Sequence, residues 1–228
     1  MAVIDELVTR VQYLLREIGS TDPKSPVAEL KIWLANGQDE ICRRAYAIED
    51  NSTVAVCKVI MATGIAEYAI NSKILLIEDA ALYTAAGVFD SHIDVVDKHE
   101  LTYQSPTWVT DDGKPAHIIV TSHNTIKVTP IPTITYVGYY LMLNVKRLPL
   151  NRLSDVNPVP EISSIFSQDM VHWACHMAYL KDDVDTQDLK QSDRFYALFE
   201  GSVGPRPTAD VERALKTQPH GLRLQVSR

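Results

Sequence analysis

Cysteine is scarce in this chain: Cys42, Cys57 and Cys175 are scattered and odd in number among 228 residues. A disulfide framework is therefore not indicated, and a reducing compartment fits better. No apolar run approaches the ~20 residues that cross a bilayer, and Asp5 and Glu6 stand where a secretory leader carries basic residues. The expectation is a soluble protein with no membrane contact. Neither G-x-G-x-x-G nor G-x-S-x-G occurs, and Gly113-Lys114 has Trp108 where a phosphate-binding loop has its upstream glycine. Nucleotide binding and serine-hydrolase chemistry are unsupported. Basic residues are outnumbered, 22 against 29, and the net charge of -7 argues against sequence-specific DNA binding.

What is present is a globular composition with a marked charge asymmetry. At 46% hydrophobic residues the chain can bury one sizeable core or two small ones. Basic against acidic counts are 6 to 9 over residues 1–52, 8 to 9 over 53–153, 3 to 9 over 154–200 and 5 to 2 over 201–228. An acidic helical region thus precedes a basic tail, which points to docking on an acidic surface, its own, a neighbour's or a partner's.

Apolar residues from Val3 to Ile18 recur at spacings of three and four, predicting an amphipathic helix that ends near Gly19. Ser25 as N-cap and Pro26 at the first helical position predict a second helix to about Tyr46, with Leu30, Trp33, Leu34, Ile41 and Ala45 along its buried stripe. Gly37 inside that helix costs roughly 1 kcal/mol relative to Ala, so a close neighbouring backbone is expected there. From Ser52 the pattern turns β-branched and alternating, predicting strands over 53–63, 66–70 and 74–77. Residues 80–101 carry both signals, Ala-rich runs for helix against Tyr83, Val88 and Phe89 for strand. After the Asp111-Asp112-Gly113 turn, strands are expected at 116–121, 125–129 and 134–146, with Pro130 and Pro132 at an edge or connection. Helical periodicity then returns. Phe166, Met170, Trp173, Ala174, Met177 and Leu180 share one face, and Leu189, Phe195, Tyr196 and Phe199 form another. The words G-P-R-P and Q-P-H-G break structure beyond Gly201. The reading is α+β: a helical bundle from N- and C-terminal helix pairs (1–51 and 154–200), an inserted antiparallel β domain (52–153) and an extended C-terminal tail (201–228).

Few residues carry the pattern of a reactive site. His172, Cys175 and His176 lie at i, i+3 and i+4 on one helix, a spacing that lets side chains meet one metal ion, but no second C-x-x-C or H-x-x-H supplies a fourth ligand. A packed core turn is the plainer reading, and no metal or cofactor is expected. Asp182, Asp183, Asp185 and Asp188 lack the Gly and Glu of a calcium loop, and Asp183 or Asp185 is the expected cap of the last helix. Adjacent carboxylates Asp39-Glu40 and Glu78-Asp79 read as solvated surface. Tyr136, Tyr139 and Tyr140 read as sheet packing rather than a base-stacking platform, which would want Lys or Arg between the rings.

The words V-x-x-L-L-R-E-I-G, A-E-L-K-I-W-L-A-N-G-Q-D-E-I from Ala28, G-I-A-E-Y-A-I from Gly64, G-K-P-A-H-I-I-V to T-I-K-V-T-P-I-P from Gly113, and A-Y-L-K-D-D-V-D-T-Q-D-L with R-F-Y-A-L-F from Arg194 follow in a telling order. In that order and spacing, over most of its length, the chain resembles the head-to-tail adaptor (neck, or tail accessory) proteins of tailed bacteriophages. The resemblance implies a non-enzymatic virion protein forming a ring, usually of about twelve copies, between portal and tail or nozzle. The ring extends the channel through which genomic DNA passes without sequence-specific binding, and the free protein can wait unassembled in the host cytoplasm. It further implies that the C-terminal extension inserts between portal subunits, and within that extension Arg206, Arg213, Leu215, Leu222, Leu224 and Arg228 are the contacts we expect. Twelve copies at -7 would carry about -84, so a lumen bearing part of that charge repels passing DNA. Two other readings stay open at this point: a metal-binding enzyme centred on His172, Cys175 and His176, and a monomeric binding module.

Overall fold

The first apolar stripe folds as its spacing requires. In the computed structural model, which describes residues 3–20, 24–181 and 188–208, helix α1 (Ile4–Leu15) buries Ile4, Leu7, Val8 and Val11. Asp5 and Glu6 in its first turn complement the helix dipole. The helix stops short of Gly19 because Arg16 takes a left-handed conformation, φ 61°, leaving Ile18 more than half exposed. Helix α2 (Val27–Ala45) begins at Pro26, whose carbonyl accepts from the amides of Glu29 and Leu30, so Pro26 and not Ser25 is the cap. Trp33 is only half-buried and Ala45 is exposed, whereas Ala35, Gln38, Glu40 and Cys42 are buried: the helix is covered on more than one side.

The described residues divide into two compact units, one formed by those up to Ile48 with Leu148–Arg206, the other built on Glu49–Arg147. The helical unit adds α5 (Ser167–Leu180) and α6 (Leu189–Val203). Helix α5 packs against α1, α2 and α6, which is why its buried set (Met170, Val171, Ala174, Cys175, Ala178) is wider than the single stripe expected, and why Leu180 lies outside it. Gly37 does meet a close neighbour, but it is a side chain: a Cβ built there would lie 3.1–3.3 Å from Cδ1, Cβ and Cγ of Trp173. In α6, Phe195 and Phe199 are buried and Leu189 is exposed. The helix runs through Gly201 to Val203, and Gly204 closes it at φ 94°. Its cap is Asp188, whose carboxylate accepts from the Gln191 amide at 3.1 Å; Asp183 and Asp185 lie outside the described residues.

The other unit begins with β1 (Glu49–Asp50), a helical turn α3 (Val54–Cys57) and β2 (Lys58–Ile60). The strand expected over 53–63 is replaced in its first half by that turn. The Asp50 carboxylate accepts from the amides of Ser52 and Thr53, each at 3.0 Å, and bends the chain before a ladder can form. The strands β3 (Glu67–Ala69), β4 (Ile74–Tyr83) and β5 (Phe89–Val95) follow, then helix α4 (Lys98–Gln104), so the ambiguous residues 80–101 are two strands leading into a helix. The chain continues through β6 (Asp112–Gly113), β7 (His117–Ser122), β8 (Thr125–Thr129), β9 (Ile131–Pro132) and β10 (Tyr140–Arg147). Residues 134–136 form a 3-10 turn and Gly138 sits at φ 79°, which delays the last strand to Tyr140.

The main sheet runs β1-β10-β4-β5-β7-β8-β3, with β2 also on β10. Its pairs are antiparallel except β5 and β7, which run parallel because α4 carries the chain across between them. The β6–β9 pair is a separate parallel ladder that takes Pro132 out of the main sheet. Alternation along β10 sends Leu141, Leu143 and Val145 inward against Leu82, Ala80 and Ile77, all buried. Trp108, Leu101 and Ile119 form a smaller core beneath α4, where the indole N–H donates to the Thr102 hydroxyl at 3.0 Å. The architecture is α+β, with helices and a large antiparallel-rich sheet.

Candidate docking site

Of the six residues expected to carry docking, the structure describes Arg206. Arg213, Leu215, Leu222, Leu224 and Arg228 lie outside the described residues. Arg206 leaves the end of α6 with its Nε 3.9 Å from the Glu40 carboxylate, and its side chain is 60% exposed. Glu40, expected on the surface, is buried. Arg44, one turn along α2, donates from Nε to Glu40 at 2.8 Å, and Arg43 comes within 3.9 Å of the same carboxylate. The i+3 and i+4 arginines were the signal in the sequence, and the pairing of adjacent acids hid it.

Arg44 ties the end of α6 to α2. Its remaining guanidinium nitrogens donate to the Gly204 carbonyl at 3.2 Å and the Tyr196 hydroxyl at 3.3 Å. Its plane lies over the rings of Phe199, Tyr196 and Trp173 at 5.1, 5.6 and 5.9 Å. Burial works against this charge, but the bonds to Tyr196 and Glu40 outweigh it and raise the guanidinium pKa, so Arg44 is charged at any working pH. One carboxylate is thus set among three guanidiniums, and the end of α6 carries a local positive surplus. A cluster with this surplus can attract an anionic surface.

The metal reading fares worse on geometry. His172 meets Gln168 at 3.0 Å and faces the Phe195 ring, and burial lowers its pKa. Cys175 is fully buried and its thiol is pushed up to about 12 by burial. His176 Nδ1 is within 2.9 Å of the Ser192 hydroxyl and 3.1 Å of the Ser192 carbonyl, and its ring packs on Trp173 and Tyr196. Among the described residues no three His, Cys, Asp or Glu side chains are placed to share a metal ion. Asp188, the one described member of the Asp182–Asp188 cluster, is committed to capping α6.

In the sheet unit, Tyr140 stacks on Tyr83 at 5.4 Å, and Lys58 from β2 sits 3.9 Å over the Tyr140 ring. The basic partner that the tyrosine cluster lacked in sequence therefore comes from a distant segment. No helix among the described residues is long and apolar enough to cross a membrane.

Residues 4–220 match the family model described as SU10 adaptor protein. No curated protein matches the chain.

Proposed function

Because this chain belongs to the SU10 adaptor protein family and is a phage head-to-tail adaptor, a structural component of the virion at the head–tail junction, we propose that it forms a ring between portal and tail that extends the DNA channel. The observation that carries this reading is a family match running over nearly the whole chain, through both helix pairs and the sheet. The ring has about twelve copies, and the basic arm beyond Arg206 docks on the portal through Arg206, Arg213, Leu215, Leu222, Leu224 and Arg228. The Arg44–Glu40–Arg206 cluster supports the docking role, since it fixes where the arm leaves the helical bundle and lends it positive charge. The partners are then the portal protein, the tail or nozzle protein and further copies of the chain, with genomic DNA passing through without being read. Assembly occurs in the host cytoplasm.

The test mixes purified chain with its cognate portal ring and measures the mass of any complex. Full-length protein is compared with a version ending at Thr208, which keeps α6 and the Arg206 contact intact. A ring-sized complex from the full chain alone supports arm-dependent docking. A complex that forms equally well without residues 209–228 removes the arm from the reading, and no complex with either form removes the ring.

A further inference from the structure

The helical unit exposes two unlike apolar features of opposite charge. One is a knob. Val156 is 87% exposed at the tip of a turn closed by the Ser154 amide on the Asn157 carbonyl at 3.1 Å and the Asn157 amide on the Ser154 hydroxyl at 3.3 Å. The turn is tied to α1 by the Ile4 amide on the Pro158 carbonyl at 2.7 Å, and Lys31 of α2 bridges Asp155 to Asp5. A large apolar side chain held this firmly in water has lost its freedom with no burial in return, which is the state of a pre-organised contact. Its immediate surroundings are net acidic, one Lys31 being shared by Asp5 and Asp155, each about three-quarters exposed.

The other feature is a cleft of about 320 Å³ lined by Thr9, Arg10, Tyr13, Leu14, Ile18 and Gln168, with Tyr13 72% and Ile18 55% exposed. It adjoins a larger one of about 480 Å³ to which Arg16, Arg194 and Leu198 contribute. Its charged rim is thus mainly arginine. Knob and cleft sit toward opposite ends of α1, one beside Asp5 and the other at Tyr13 to Ile18.

We propose that the 154–157 turn of one copy seats Val156 in the α1–α5 cleft of a second copy, with Asp5 and Asp155 facing Arg10 and Arg16. This rests on the ring reading above and names the surfaces that would build it. Two different patches meeting head to tail make a heterologous contact, which propagates around a ring, whereas a self-complementary patch stops at a dimer.

The experiment uses thiol cross-linking, since Cys42, Cys57 and Cys175 are all buried and give little background. Thr9→Cys and Val156→Cys are made singly and together in the full chain and treated with a short bis-maleimide, free and with the portal ring. The double variant should give a ladder of multimers, the mixed single variants a dimer only, and each single variant alone no product. Val156→Asp should weaken association about tenfold or more, as loss of a central contact does. A portal-bound ring without a ladder, or dimers from one single variant alone, overturns this contact while leaving the ring reading standing. A ladder without a portal complex keeps the contact and removes portal docking. If neither ladder nor ring appears, both are wrong.

Discussion

Removing the Asp50 carboxylate should unfold the sheet unit far more readily than removing its neighbour's. Asp50 and Arg147 lie on the paired ends β1 and β10, where the Arg147 Nε donates to Asp50 at 2.7 Å and both side chains are at least nine-tenths buried. The same carboxylate accepts from the amides of Ser52 and Thr53. Taking away one partner of a buried pair costs about 3–5 kcal/mol, because the other charge stays desolvated. For a unit of this size that corresponds to a fall in melting temperature of about 15 °C or more. Asp50→Ala should therefore accelerate amide exchange across β10 and β4, read by mass spectrometry. Glu49→Ala, which removes a mostly exposed carboxylate from Lys146, should leave exchange near wild type. The double variant Asp50→Ala with Arg147→Met should recover part of the loss, since it removes the desolvated charge but leaves the Ser52 and Thr53 amides without their acceptor. The pH dependence follows from the same contacts. Burial pushes the Asp50 pKa up, but hydrogen bonds from Thr53, Ser52 and Arg147 pull it down by more, well below the ordinary 3.8. A depressed carboxylate contributes its full stability above the unfolded value and loses it as pH falls toward the folded one, so the protection of β10 should fade only below about pH 4. If Asp50→Ala and Glu49→Ala exchange alike at pH 7, or if the double variant is worse than the single, the buried pair does not hold these ends together.

Three further outcomes are expected. Gly37→Ala gains helix propensity of about 1 kcal/mol but drives a Cβ onto the base of the Trp173 side chain, so it should destabilise by about 1–2 kcal/mol in denaturant melts; a more stable variant would show that α5 yields at no cost. All three thiols should resist a maleimide or disulfide reagent in the native protein and react only on unfolding, since burial raises Cys175 to about 12 and burial with the nearby Asp50 charge raises Cys57 to about 11; one fast-reacting thiol in folded protein contradicts the packing. A strong chelator should leave the melting temperature of freshly purified protein unchanged, whereas a chelator-dependent fall with zinc released would restore the His172, Cys175 and His176 centre.

The helices were legible because their burial is periodic within a dozen residues: the Ile4, Leu7, Val8, Val11 stripe needs no long-range information. The limits of that signal show in α5. A helix covered by three others has no single stripe, so Val171 and Ala178 were missed although both are apolar and buried. The hairpin of β7 and β8 was equally plain from its turn and alternation. Strand β4 was cut short at Ile77 because Glu78 and Asp79 interrupt the apolar pattern, yet the ladder continues there through its partners on β10, Asn144 and beyond, past a bulge. The turn over Val54–Cys57 depends on one carboxylate bound to two amides, and β-branched composition alone reads it as strand.

The Arg44–Glu40–Arg206 cluster was the least legible feature, because its members come from distant parts of the sequence. A catalytic or metal centre leaves residue types at spacings fixed by the reacting atoms, as the His172, Cys175 and His176 spacing illustrates. An interface leaves only a surplus: apolar side chains exposed where burial was available, and charges collected around one another. Arg44 shows how such a surplus is built. It lies in the first quarter of the chain, yet its bonds reach Tyr196 and Gly204, so the end of α6 is held by a residue about 160 positions upstream. The Glu40 carboxylate keeps Arg44 inside the bundle, and Arg206 is drawn to the same carboxylate from outside. Pairing within the unit thus consumes the acid and leaves the bases in excess, so the charge at the end of α6 is determined by the fold and not by local composition alone.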